Sequence, residues 1–179
     1  FQNLPNVQGR ISTRVDENTP TLIEIDSLRI SSNKIIESSE LYSRLRSSGI
    51  HHGTTFQVVN KLYRGENFVL ASIKLPRNLH HSLDKYYLHP MLLDAAIQAW
   101  VCFDDESPSS PVVPFACRQI EVHAPCESIM WAVVRQSTTA LSNSKLKHFD
   151  IDICSGSGMV CVRFKDLALR VMSDVTVAE

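Results

Sequence analysis

Asp94 and Gln98 are four residues apart, the spacing that stacks two side chains one helical turn apart on the same face. An amide so placed can hydrogen-bond the carboxyl group and fix its direction. A fixed carboxylic acid beside an apolar surface is what proton donation to a leaving hydroxyl requires. The same pair also describes the solvated flank of an ordinary amphipathic helix, so residue types alone leave both readings open. The other chemistry-bearing residues are weaker candidates. The pairs His51-His52 and His80-His81 lie in polar stretches without an acidic partner at ligand spacing, so no metal site is expected. Cys102, Cys117, Cys126, Cys154 and Cys161 are odd in number and never spaced C-x-x-C, which argues against a zinc site or a disulfide framework. Cys117 and Cys126 also lack a basic helix terminus that would activate a thiolate. Gly53 precedes no glycine cluster or lysine, so it suits a tight backbone better than a phosphate cradle.

The element that must carry Asp94 starts at His89-Pro90, with proline at the favoured first position, and runs to about Phe103. At 100° per residue, Leu92, Leu93, Ala96, Ile97, Trp100 and Val101 fill one half of it, with Asp94 and Gln98 just past the edge. Partial loss of hydration at that border favours the neutral acid. Upstream, residues 7–15 and 21–25 read as extended pieces broken by a turn at 16–20. A short helix over 40–48 is capped by Ser38 or Ser39 and ended by Gly49. Residues 56–63 and 69–75 then form a hairpin across 64–67, and 76–85 is a loop. After the long helix comes an acidic Ser/Pro loop, 104–111. Strands follow over 119–124, 130–136, 149–154 and 160–171, with a polar stretch at 137–144 and a turn at 155–158. One apolar helix among antiparallel strands predicts an α+β domain whose sheet curls around the helix.

The 179 residues suffice for one domain with a real core, and 44% hydrophobic with 21% charged content is ordinary for a globular chain. A net charge of −1 gives no polyanion-binding signature, so no nucleic acid is expected. No apolar run reaches bilayer length, so no membrane is expected either, and reduced thiols point to a cytoplasmic setting. The abrupt start at Phe1 reads as a piece of a longer polypeptide.

The segment His89-Pro90-Met91-Leu92-Leu93-Asp94-Ala95-Ala96-Ile97-Gln98 resembles the HPxLLDxxxQ motif in the second hotdog of polyketide-synthase dehydratases. Gly49-Ile50-His51-His52-Gly53-Thr54-Thr55-Phe56-Gln57 is similar to the G-x-x-Y-G-P-x-F-Q segment that opens the same hotdog. Leu62-Tyr63-Arg64-Gly65-Glu66 and residues 69–76 are similar to modular synthases that take their acyltransferase in trans. Val113-Pro114-Phe115 falls at the family's strand entry. The ordered likeness spans roughly 38–171.

This resemblance implies the C-terminal half of a double hotdog, with 1–36 as the tail of an upstream hotdog plus linker and 37–175 as the C-terminal hotdog. It implies that Asp94 protonates the β-hydroxyl as water leaves and that Gln98 supports it. His89, Pro90, Gly53 and Phe56 would contact substrate, and Met91, Leu93, Phe56, Phe115 and Trp131 either line an acyl tunnel or are plain core. The implied substrate is a 3-hydroxyacyl thioester on the phosphopantetheine arm of an acyl carrier protein, with no cofactor of the chain's own. The implied partners are that carrier, the upstream half, other synthase domains and a second copy in a synthase homodimer. Two departures stand out. No H-x-x-x-G followed by proline, the motif of the family's general-base histidine, occurs before residue 37, and Tyr-Gly-Pro is replaced by His52-Gly53-Thr54, so no role passes to His52. The alternatives are a same-fold domain for double-bond migration, cyclisation or β-branching on carrier-bound chains, a catalytically silent scaffold, and a hotdog thioesterase.

Overall fold

Among the described residues, seven strands set their inward apolar side chains around the long apolar helix. The computed structural model describes residues 8–13, 21–138 and 146–172. The strands are β1 (Lys34–Glu37), β2 (Val59–Arg64), β3 (Val69–Lys74), β4 (Val112–Val122), β5 (Ile129–Gln136), β6 (Leu146–Cys154) and β7 (Val160–Val171). They form one sheet in the order β1-β2-β3-β5-β6-β7-β4, with every neighbouring pair antiparallel. Three helices join them: α1 (Ile25–Ser31), α2 (Ser38–Ser47) and α3 (Pro90–Gln98). This is the expected sheet curled around a helix.

α3 continues without a break into a 3₁₀ turn, Ala99–Cys102, so the helical run matches the expected one. Leu92, Ala95, Ala96, Ala99, Trp100 and Val101 are buried. They pack in one cluster with Leu62, Ala71, Ile73, Met130, Ala132, Val134, Ile151, Ile153 and Val162 from the concave face of the sheet. The buried stripe is rotated from the expected one. Ala95 and Ala99 lie in it, while Leu93 and Ile97 are only half-buried. Small alanines let the helix backbone approach the sheet closely, which turns the two larger residues toward the flank.

Other elements correct the sequence reading. Residues 21–23 are extended, with Leu22 bridging Met159, but the chain turns helical at Ile25, which packs on Leu70, Val133, Cys154 and Val160. Gly158 makes this possible: its φ is +87°, and an added Cβ would lie 2.2 Å from the Ile23 carbonyl oxygen. β1 has only four residues, too few to show a period, and the boundary expected between 36 and 37 falls inside it. α2 starts at Ser38 itself, and neither Ser38 nor Ser39 caps it through its side chain. Gly49, at φ +90°, ends it as expected. The loop expected over 76–85 is instead a 3₁₀ helix, Arg77–Lys85, because Leu79 and Leu83 turn together onto the core. Of the extended piece expected over 7–15, the described residues 8–13 form neither helix nor strand, and the turn at 16–20 lies outside the described residues. Most of the polar stretch 137–144 also lies outside them.

Candidate active site

The expected pair forms. Gln98 Nε2 donates to Asp94 Oδ2 at 2.7 Å and to the Phe56 carbonyl at 3.2 Å. A carbonyl can only accept, so Phe56 fixes which end of the amide faces the acid. Gln98 does not sit past the edge of the helix's buried side, as the helical wheel suggests. It is 3% exposed and lies inside it. Its Oε1 is buried with no hydrogen-bond partner among the described residues. The Asp94 side chain remains 39% exposed, flanked along the helix by the half-buried Leu93 and Ile97.

A second group reaches the acid from the segment between α2 and β2. His52 Nε2 lies 3.7 Å from Asp94 Oδ2, and its side chain is 17% exposed. The Gln57 side-chain amide donates to the His52 carbonyl at 2.9 Å, and the imidazole lies against the Tyr42 ring, 6.5 Å between centroids. The Tyr42 hydroxyl accepts the Val59 N–H at 3.1 Å. Burial pushes this phenol up to about 12, against the lowering effect of that N–H and with the Asp94 charge adding to the rise. Tyr42 is therefore a neutral wall of the site. Nothing in the periodicity pointed to His52. The adjacent-histidine pair and its place in the motif that reads Tyr-Gly-Pro elsewhere are its signals in the sequence, and the acidic partner not expected there is Asp94.

The other expected site residues divide. His89 is 1% exposed at the N-cap of α3, with Nε2 2.9 Å from Ser82 Oγ. The Ser82 hydrogen goes to the Leu79 carbonyl at 2.5 Å, so His89 is the donor to Ser82. Burial lowers the His89 imidazole, which stays neutral behind the helix start. Pro90 is the exposed first residue of the helix. Phe56 closes the 3₁₀ turn Thr54–Phe56 and brings its carbonyl to Gln98. Gly53 does not need to be glycine for its backbone: its φ is −63°, and an added Cβ would meet nothing within 4 Å. Met91 and Leu93 pack on the core cluster. Phe115 stands 57% exposed on the edge strand β4 under Arg170, and Trp131 packs with Tyr63 and Leu70 on the opposite face of the sheet from α3. Trp131 does not reach Asp94, because β5 alternates and its inward residues are Met130, Ala132 and Val134.

The remaining histidines are elsewhere. His51 is exposed, and His80 Nε2 lies 3.0 Å from the Leu75 carbonyl. A surface cleft of about 380 Å³ sits past the C-terminal end of α3, between Trp100, Lys147 and residues 104–109. Two of its acids are paired: Asp104 with Lys147 at 2.8 Å, and Asp105 with Arg64 at 2.6 Å.

Comparison with known proteins identifies the family and the fold. Residues 22–179 match the family model for "Polyketide synthase dehydratase N-terminal domain". The chain is 30% identical over 172 residues to polyketide synthase PksM of Bacillus subtilis, covering 92% of this chain and 4% of that protein. It is 34% identical over 140 residues to PksN of the same organism, covering 78% and 2%. Among solved structures, it superimposes on a trans-AT PKS dehydratase domain from Brevibacillus brevis with a TM-score of 0.78 and 27% identity, over 86% of this chain and 54% of that one. The dehydratase domain from the CurF module of curacin polyketide synthase gives 0.79 and 26%, over 90% and 56%. The chain thus spans a few per cent of its curated relatives and about half of the solved domains, and its antiparallel sheet around a central helix is the dehydratase hotdog. With the match running from residue 22 to 179, this chain belongs to the polyketide synthase dehydratase family.

Proposed function

We propose that this chain supplies the acid half of a dehydratase site that removes water from a 3-hydroxyacyl thioester carried on an acyl carrier protein. The observation that supports this most is the 2.7 Å bond from Gln98 to Asp94 on the half-open flank of α3. Asp94 gives its proton to the β-hydroxyl, the C–O bond breaks, and water leaves as the α,β double bond forms. The Gln98 amide, held by the Phe56 carbonyl, keeps the carboxyl aimed while its charge changes. His89 and Pro90 set the start of the helix, and Leu93, Ile97 and the exposed ring of Phe56 offer apolar surface to an acyl chain.

Removal of the α-proton needs a base. The resemblance puts it on an H-x-x-x-G motif of a first hotdog, and residues 1–36 carry no such motif. We therefore read the chain as the second hotdog of a pair. The matching family model is described as an N-terminal domain, but the acid-bearing motif over His89–Gln98 belongs, by its resemblance, to the second half. Carrier protein, first hotdog and neighbouring synthase domains, in a homodimeric cytoplasmic synthase, are the partners this reading requires. The chain brings no cofactor, since the thioester arm arrives with the carrier.

The experiment is turnover of a carrier-bound 3-hydroxybutyryl thioester by the synthase polypeptide containing this chain, followed by mass spectrometry. Water loss that survives Asp94→Asn would refute the acid role. His52-Gly53-Thr54 in place of Tyr-Gly-Pro supports a second reading, rearrangement or branching of carrier-bound chains. An enoyl thioester that enters and leaves with a moved double bond or altered skeleton would select it.

A further inference from the structure

Building on the acid role of Asp94, we propose that His52 is a positioning residue for that acid. With Gln98 it holds Oδ2 as an acceptor, so the transferable proton resides on Oδ1. The argument begins with Gln98. Its Nε2 must face the Phe56 carbonyl, since turning the amide would set Oε1 against another acceptor. Gln98 therefore presents an N–H to Asp94, and that N–H falls on Oδ2. A proton on Oδ2 would compete with this donor, whereas a proton on Oδ1 would not.

His52 reaches the same oxygen from a different part of the chain. Its Nε2 is 3.7 Å from Oδ2, beyond a formed hydrogen bond but within a sub-ångström movement of one. Contacts at catalytic acids are often loose without substrate and tighten around it. The ring's other nitrogen decides its tautomer. Nδ1 is buried with no hydrogen-bond partner among the described residues, so a proton there would be a buried donor without an acceptor. A proton on Nε2 has the carboxyl oxygen in front of it. His52 Nε2–H is thus the donor toward Asp94. The Tyr42 ring beside it and the Gln57 amide on its carbonyl restrict where the imidazole can move. Two donors on one carboxyl oxygen leave the other as the atom that meets the substrate hydroxyl.

The test uses the synthase polypeptide containing this chain and a carrier-bound 3-hydroxybutyryl thioester, with kcat and KM measured separately. His52→Ala is expected to lower kcat by about tenfold or more through misorientation of the acid, with KM little changed. His52→Gln, whose amide nitrogen reaches the place of Nε2, restores most of the rate. His52→Asn, whose amide reaches only the place of Nδ1, does not. Unchanged kcat in His52→Ala, a loss confined to KM, or equal rescue by Gln and Asn overturns the assignment. If His52→Ala is shown by thermal melting to be unfolded, the Gln and Asn variants decide alone: a faster Gln variant supports the role and equal rates overturn it. Asp94→Asn run alongside separates the two ideas. An inactive Asp94→Asn with a fully active His52→Ala removes only the positioning role, whereas an active Asp94→Asn removes the acid reading beneath it.

Discussion

On the outer face of the sheet, Asp152 lies between Arg135 at 3.1 Å and Arg163 at 2.5 Å, and Glu121 is bound by Lys165. On the flank of α3, Asp94 has a single amide in hydrogen-bond range, an imidazole further off, and two neighbouring side-chain atoms that are buried and unsatisfied among the described residues. Both regions hold carboxylates beside nitrogen donors. The outer face uses them to complete one another, which is what a structural surface of an antiparallel sheet needs. The α3 end leaves bonding capacity unused, which is costly in a folded interior and characteristic of places where something else binds. Charge content would not have separated the two. The pairing does.

The most severe way to break the comparison is Asp94→Asn. Loss of an acid should lower enoyl formation by about 10²–10⁴-fold, with a melting temperature close to that of the parent. A large loss of stability instead would make Asp94 structural, like Asp152. Next comes Gln98→Leu, which removes the donor to both the Phe56 carbonyl and Asp94. Chemical denaturation should show a loss of about 0.5–1.5 kcal/mol, and turnover should fall as well, because the acid is no longer aimed.

A pH titration of stability sharpens the contrast. His89 is held neutral by burial, so its folded-state pKa lies below the ordinary 6.5. As pH falls below about 6.5 the unfolded chain takes up a proton that the folded one refuses, and stability declines until the folded imidazole also titrates. His89→Gln should flatten that limb in melts recorded from pH 7.5 downward. Glu121 changes stability in the same direction but at lower pH: although partial burial raises it, the Lys165 hydrogen bond and charge hold its carboxyl below the ordinary 4.5. Its contribution is full above that value and fades as pH drops further. The smallest effect belongs to Arg135→Ala. With 40% of that side chain exposed, the pair with Asp152 should contribute at most about 1 kcal/mol. Dehydration should be untouched, and a drop in turnover would mean that the outer face is not merely structural.

Much of this architecture was legible from residue order. The α3 run, the β2–β3 hairpin and strands β5 to β7 follow periods long enough to dominate their windows, and the Asp94–Gln98 spacing placed the acid with its amide. What stayed hidden has physical causes. β1 is too short to show alternation, and the 3₁₀ helix over Arg77–Lys85 looks like a polar loop until Leu79 and Leu83 find the core. Alanines carry little hydrophobic weight, so the stripe was centred on Leu93 and Ile97 rather than on Ala95 and Ala99. β5 is apolar on both faces, which is why Trp131 could not be assigned a side. His52 meets Asp94 only through tertiary folding, and no local pattern reports such a meeting.

The placement of β4 bears on how the molecule assembles. It precedes β5, β6 and β7 along the chain, yet its neighbour in the sheet is β7, with Val112 opposite Val171. A newly made β4 must therefore wait for the last strand before its backbone groups find partners. Such distant pairings are reached only after a large loop-closure cost, and folds dominated by them acquire their native state in milliseconds to seconds rather than microseconds. A chain halted before Val160 would leave β4 and one edge of β6 unpaired at once, and the apolar side of α3 would remain partly uncovered until synthesis reached the end of the sheet.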